Sequence, residues 1–177
     1  MVMNICYGVE MKSFECLSTE ELEPLFQSIY EIVSIVDDDV ELFIVQTEEE
    51  ATRLGNFLGE KKLLESNHQL FQIEVPKLED AFLDYGFKTE NDNYFLFADQ
   101  TSCFVINEGE EEQIKMAIYQ IEEDLIAVDF KDEEIYFVDK QKEDLMSGYA
   151  KAYKIGISFQ EKRCEIRNWL DKSGERE

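Results

Sequence analysis

The sequence predicts an α+β fold: a single compact domain with a mixed or antiparallel sheet, flanking amphipathic helices and two helices at the C-terminus. Three observations predict it. Apolar residues recur at helical spacing after capping signals. Between those runs lie short apolar or alternating stretches bounded by turn residues. The 177 residues are 44% hydrophobic and 12% aromatic, enough to bury a core without disulfides or metal, and with two prolines and no low-complexity linker nothing divides the chain.

Residues 4–15 mix Ile, Tyr, Val, Met and Phe with polar residues and read as an opening strand. Ser18 with Glu21 forms a capping box, and Leu22, Leu25, Phe26, Ile29, Tyr30 and Val33 then supply the inward stripe of a first helix. Its outward face carries Glu20, Glu23, Gln27 and Glu31. Asp37–Asp39 read as a turn, 40–46 as a strongly apolar strand, and Thr47 with Glu50 as the cap of a second helix with Ala51, Leu54, Phe57 and Leu58 inward.

Residues 69–75 alternate like a strand with Phe71 and Ile73 on the core face and His68 opposite. Pro76 then suits a helix start, with Leu78, Ala81, Phe82 and Tyr85 as its stripe and Gly86 as its C-terminal cap. Strands follow around 87–90, 94–98 and 103–107; the second is apolar on both faces and so predicted to be covered on both sides. Asn107 with Glu110 caps a helix with Ile114, Ala117, Ile118 and Ile121 inward. Residues 125–130 and 134–138 form a hairpin. Two helices close the chain, 140–154 with Leu145, Tyr149 and Tyr153, and 159–172 with Phe159, Ile166, Trp169 and Leu170, capped by Ser158 and Glu161.

Charge is the chain's strongest functional signal. From Ser13 to Thr52 there is no Lys or Arg, against twelve acids, and the whole chain carries a formal charge of -24. The imbalance divides the chain into a strongly acidic body over 1–139, net -26, and a C-terminal helical pair over 140–177, net +2, predicted to pack on that body as part of one domain. Such a concentration of like charge works against compactness, and it disfavours direct contact with nucleic acid or an anionic membrane. The first residues lack a basic start followed by a long apolar run, no segment approaches a membrane span, and the four scattered cysteines show no C-x-x-C spacing, so buried free thiols in a cytoplasmic protein are expected.

The chain contains no motif that names a reaction. Its one histidine, His68, has no recognisable nucleophile partner and is expected at an exposed or edge position. Asp37, Asp39 and Glu41 alternate like calcium ligands but lack the sharp-turn glycine and terminal bidentate Glu. The eight glycines form neither a Walker loop nor a dinucleotide fingerprint. The acids of Glu48–Glu50 and Glu110–Glu112 suit helix N-termini, whereas Glu122–Asp124 fall at the unfavourable C-terminal end. No catalytic residue, cofactor or metal is predicted.

Duplex DNA carries one negative charge per roughly 1.7 Å of axis, so this chain's charge equals that of roughly 40 Å of duplex, about the diameter of a compact domain of its length. The reading that follows is a non-enzymatic acidic inhibitor that binds the basic nucleic-acid-binding surface of a target protein, in the manner of DNA mimics that block restriction or CRISPR enzymes. Its partner-binding residues are predicted as Glu20, Glu23, Glu31, Asp37, Asp38, Asp39, Glu48, Glu49 and Glu50. The alternatives are an immunity protein against a basic toxin such as a nuclease, an acidic housekeeping adaptor, and a small carboxylate-based enzyme.

Overall fold

The computed structural model describes residues 3–13 and 17–159. The chain runs β1 (Ile5–Met11), α1 (Thr19–Ile32), β2 (Ile35–Asp39), β3 (Leu42–Val45), α2 (Glu48–Glu60) and β4 (Leu64–Ile73). A connecting segment follows, β5 (Pro76–Leu78), the single turn α3 (Phe82–Tyr85), β6 (Gly86–Lys88) and β7 (Tyr94–Phe97). Then come β8 (Thr101–Glu108), α4 (Glu111–Ile121), β9 (Leu125–Asp129), β10 (Ile135–Asp139), α5 (Glu143–Tyr153) and β11 (Gly156–Phe159). The strands form two sheets, β2-β3-β1-β4-β7-β6 and β11-β8-β10-β9-β5.

The fold is α+β, and it contains the same unit twice. In β1–β4 the first strand sits between the third and fourth with the second outside the third, all antiparallel; in β8–β11 the order is the same. Each is a β-α-β-β-α-β double split, the ferredoxin-like connectivity. The correspondence reaches single residues. The second helix of each unit is followed by a lysine in the left-handed region, Lys62 at φ 61 and Lys154 at φ 57. The next amide turns back onto the helix in both, Leu63 N–H to Leu58 C=O at 2.8 Å and Ile155 N–H to Ala150 C=O at 3.0 Å.

Each unit buries its helices on one face of its sheet. Val9, Phe43, Ile29, Leu54 and Leu58 do this in the first; Phe104, Tyr136, Ala117, Ile121 and Met146 do it in the second. Each fully buried side chain of this kind contributes roughly 1.5–3 kcal/mol. The opposite faces are treated differently. That of the second unit, with Cys103, Ile126 and Phe137, packs on Phe71, Ile73 and Leu96 of β4 and β7 and joins the two sheets into one core. That of the first curls on itself around Cys6, Leu42, Ile44, Leu70 and Phe95. Gly8 lies in this curl because space is short: a Cβ there would come 2.9 Å from Leu42 Cδ1 and 3.2 Å from Leu70 Cδ1.

Several expectations are corrected. Asp37–Asp39 is strand β2, and the turn falls at Val40 and Glu41, with Val40 at φ 52. Pro76 opens an edge strand, where its missing N–H costs nothing, and the expected helix shrinks to Phe82–Tyr85. Gly86 is extended, at φ -167, and no side chain fits because a Cβ would strike the carbonyl of Phe95. The cap of α4 is Glu110, while Asn107 belongs to β8. Tyr30, expected inward, is 57% exposed. In α5 the buried stripe is Met146 and Ala150, with Tyr149 and Tyr153 packed against the same core as expected, whereas Leu145, expected inward, is 41% exposed. Ser158 and Phe159 end a strand; the helix expected over the rest of 159–172 lies outside the described residues, as do Cys16 and Cys164.

Candidate partner-binding surface

The acids predicted to bind a partner separate by position and by what their carboxylates already do. On α1, Glu20, Glu23 and Glu31 are exposed, on the face away from Leu25 and Ile29. At the start of α2, Glu48 and Glu49 point to solvent, where the helix dipole favours them. Glu50 is turned back: its carboxylate accepts from Thr47 Oγ1 at 2.9 Å and from the Ser34 amide at 3.3 Å, linking the end of α1 to the start of α2. Burial works to raise the Glu50 pKa, but these hydrogen bonds outweigh it and hold the carboxyl below its ordinary value.

Asp37 leaves the exposed set. It is 4% exposed and accepts from Thr89 Oγ1, Asn91 Nδ2 and Asn93 Nδ2, each at 2.7 Å, and from the Asp38 amide at 2.9 Å. Burial pushes its pKa up, and the bonds from Asn91, Asn93, Thr89 and Asp38 overcome that push and lower it. The donors sit on the turn between β6 and β7, so this one side chain ties β2 to the far hairpin of the six-stranded sheet and closes the curl. Asp38 is exposed beside it. Asp39 is half-buried, with its pKa raised by burial and by Asp37, Asp38 and Glu90.

Two acidic groups therefore emerge. Glu31, Glu48 and Glu49 lie where α1 ends and α2 begins; Asp38 and Asp39 lie at the other end of β2, four strand steps or roughly 13 Å from Ile35. Glu20 and Glu23 run along α1. None of Glu20, Glu23, Glu31, Asp38, Glu48 and Glu49 forms a salt bridge among the described residues.

His68 is neither exposed nor on an edge: it lies on β4, between β1 and β7, with a side chain 25% exposed. Its Nε2 meets both Ser66 Oγ at 2.7 Å and Glu10 Oε2 at 3.1 Å, and its ring lies edge-on to Phe97 at 5.1 Å. A nucleophile relay needs the hydroxyl on one ring nitrogen and the orienting acid on the other. Here both converge on the same nitrogen. The hydrogen bonds of Ser66 and His68 lower the Glu10 pKa, and the trio reads as a satisfied polar cluster at the mouth of the curl.

Cys6 and Cys103 are buried, and burial, with Glu74 nearby, pushes the Cys6 thiol up to about 11. No group of three or more His, Cys, Asp or Glu among the described residues is arranged to hold a metal. No described helix is long and apolar enough to cross a membrane.

The residues the sequence reading passed over are apolar. They are Met116 and Tyr119 on α4, 59% and 64% exposed; Leu145 on α5, expected inward, is 41% exposed. The signal was available, since the stripe Ile114, Ala117, Ile118 and Ile121 leaves Met116 and Tyr119 on the outward side of the helix. No protein-family model, curated protein or solved structure matches the chain.

Proposed function

We propose that this protein is a non-enzymatic inhibitor that covers the basic nucleic-acid-binding surface of a target protein. The observation that carries this is the helix layer of the first unit together with its β2 edge. Glu20, Glu23, Glu31, Asp38, Glu48 and Glu49 stand in solvent there, within a stretch of forty residues that has no base of its own. A surface of that kind steers a basic partner at long range and speeds its association.

The test is reversal of Glu20, Glu23, Glu31 and Glu48 to lysine together. Target binding should be lost while the fold is kept, and single reversals should each cost little, because recognition is spread over the surface. Binding should also weaken steeply from low to physiological salt. Intact binding by the multiple variant would remove this surface from the function.

A dedicated antidote to one basic toxin is the second reading, and Tyr30 favours it. An aromatic ring 57% exposed next to Glu31 is the kind of anchor on which a single-partner interface concentrates its energy. Tyr30→Ala alone should then cost tenfold or more in affinity, where a charge strip would scarcely register it.

A further inference from the structure

We infer that the outer surface of α4 and α5 is a docking site for a protein that presents an apolar side chain flanked by lysine or arginine. This rests on the reading above that the partner is basic, and adds where an apolar anchor engages it.

Glu112, Met116, Tyr119 and Glu123 follow one another at spacings of four, three and four, so they form one row along the helix and its 3-10 extension. The sheet side of α4 is filled by Ala117 and Ile121, which are fully buried, so the row faces away from the core. Its middle is a deformable thioether beside an aromatic ring, two side chains suited to covering a partner's apolar surface. Leu145, 41% exposed, extends this surface on the neighbouring helix, whose Tyr149 packs against the core and donates its hydroxyl to Asp124 Oδ2 at 3.4 Å.

The internal duplication supplies a control. The caps Ser18 and Glu110 occupy the same place, which sets Glu20, Pro24, Gln27 and Glu31 of α1 against Glu112, Met116, Tyr119 and Glu123 of α4. Carboxylates hold both ends of both rows. The middles differ, and in the second unit two large apolar groups are exposed where fold alone asks for none.

Charge selects the occupant. Residues 108–124 carry seven acids against one base, Lys115, and of these acids Asp124 and Glu122 are paired with Lys142 and Lys77. Glu112 and Glu123, at the two ends of the row, have no salt-bridge partner among the described residues. A second copy of this chain would bring another -24 against them, whereas a basic partner relieves them.

The experiment titrates the full chain into a labelled synthetic helical peptide with leucines along one stripe and lysines elsewhere. A second peptide replaces the leucines by alanine at the same charge. The double variant Met116→Ser with Tyr119→Ser keeps the protein's charge and changes two side chains that are mostly exposed; circular dichroism checks its fold. The leucine peptide should bind wild type about tenfold or more tightly than it binds the variant, and the alanine peptide should bind both alike. Equal affinities across all four combinations would overturn the site. So would a dimer in sedimentation that the double substitution disperses, since that places a second copy on this face. The arms separate from the parent proposal. Lost salt dependence with the Met116 and Tyr119 effect intact sinks the basic-partner reading alone, and strong salt dependence with no such effect sinks the apolar site alone.

Discussion

The two β-α-β-β-α-β units share strand order, helix placement and the left-handed lysine that ends each second helix, yet they spend their spare surfaces in opposite ways. The first unit rolls its helix-free face into a closed curl and shows water a helix α1 studded with Glu20, Glu23 and Glu31. The second lays its helix-free face on the first and exposes Met116 and Tyr119 from the equivalent helix. One connectivity thus tolerates either treatment, because what it requires is the stripe against the sheet. The solvent side of each helix is left to function.

The largest effect expected of a single substitution is at the join. Phe137 is fully buried between the two sheets, and Phe137→Ala should cost about 3–5 kcal/mol. Denaturant unfolding followed by far-UV circular dichroism should keep one transition for wild type; a variant that splits it into two would show that Phe137 couples the two units.

Closure of the first unit comes next. Asp37→Ala removes the acceptor of three side-chain donors and strands the buried Thr89 hydroxyl, for a loss of roughly 1–3 kcal/mol. Because the folded-state pKa of Asp37 is depressed, its contribution is complete above the unfolded carboxylate value and is lost as pH falls through the lower folded value. Wild type should therefore lose stability more steeply than Asp37→Asn on acidification below about pH 4. Parallel acid curves would deny Asp37 its place in the clasp.

Gly8→Ala probes the same curl more gently. The new methyl meets the movable ends of Leu42 and Leu70, and overpacking should cost about 1 kcal/mol, read as a lowered midpoint. The smallest effect tests the duplication itself. Lys62→Gly and Lys154→Gly should each stabilise by roughly 0.5–1 kcal/mol, alike in sign and size, since both relieve a left-handed residue in the same turn. Opposite signs would mean that the two turns are not equivalent.

Most helices and strands were legible because their signals are local. Ser18 with Glu21 and Thr47 with Glu50 do cap α1 and α2, and the stripes from Leu25 to Ile29 and Ala117 to Ile121 do face inward. The failures are places where distant chain decides. Pro76 and Gly86 read as helix punctuation, but Pro76 lies on a strand edge beside Asp129, and Gly86 is fixed by the approach of β7. Asp37 looked like a solvent acid because its donors come from Thr89, Asn91 and Asn93, 52 to 56 residues further along the chain. The duplication was hidden because the units share geometry with few side chains: Leu54 and Leu58 stand where Met146 and Ala150 do. Of the candidate surface, the exposed acids of α1 and α2 were readable from helix phase. The apolar row on α4 needed only the same phase applied to its far side.

The central claim is that this protein occupies a surface that its target uses for nucleic acid. Competition measures that directly: the target, retained on the immobilised full chain from the native host and then purified, is titrated with duplex DNA while the complex is monitored. The account predicts that duplex and protein exclude each other, with release of the target tracking duplex occupancy and no ternary complex at any concentration. A stable ternary complex, in which the target holds this protein and the duplex at once, would contradict it.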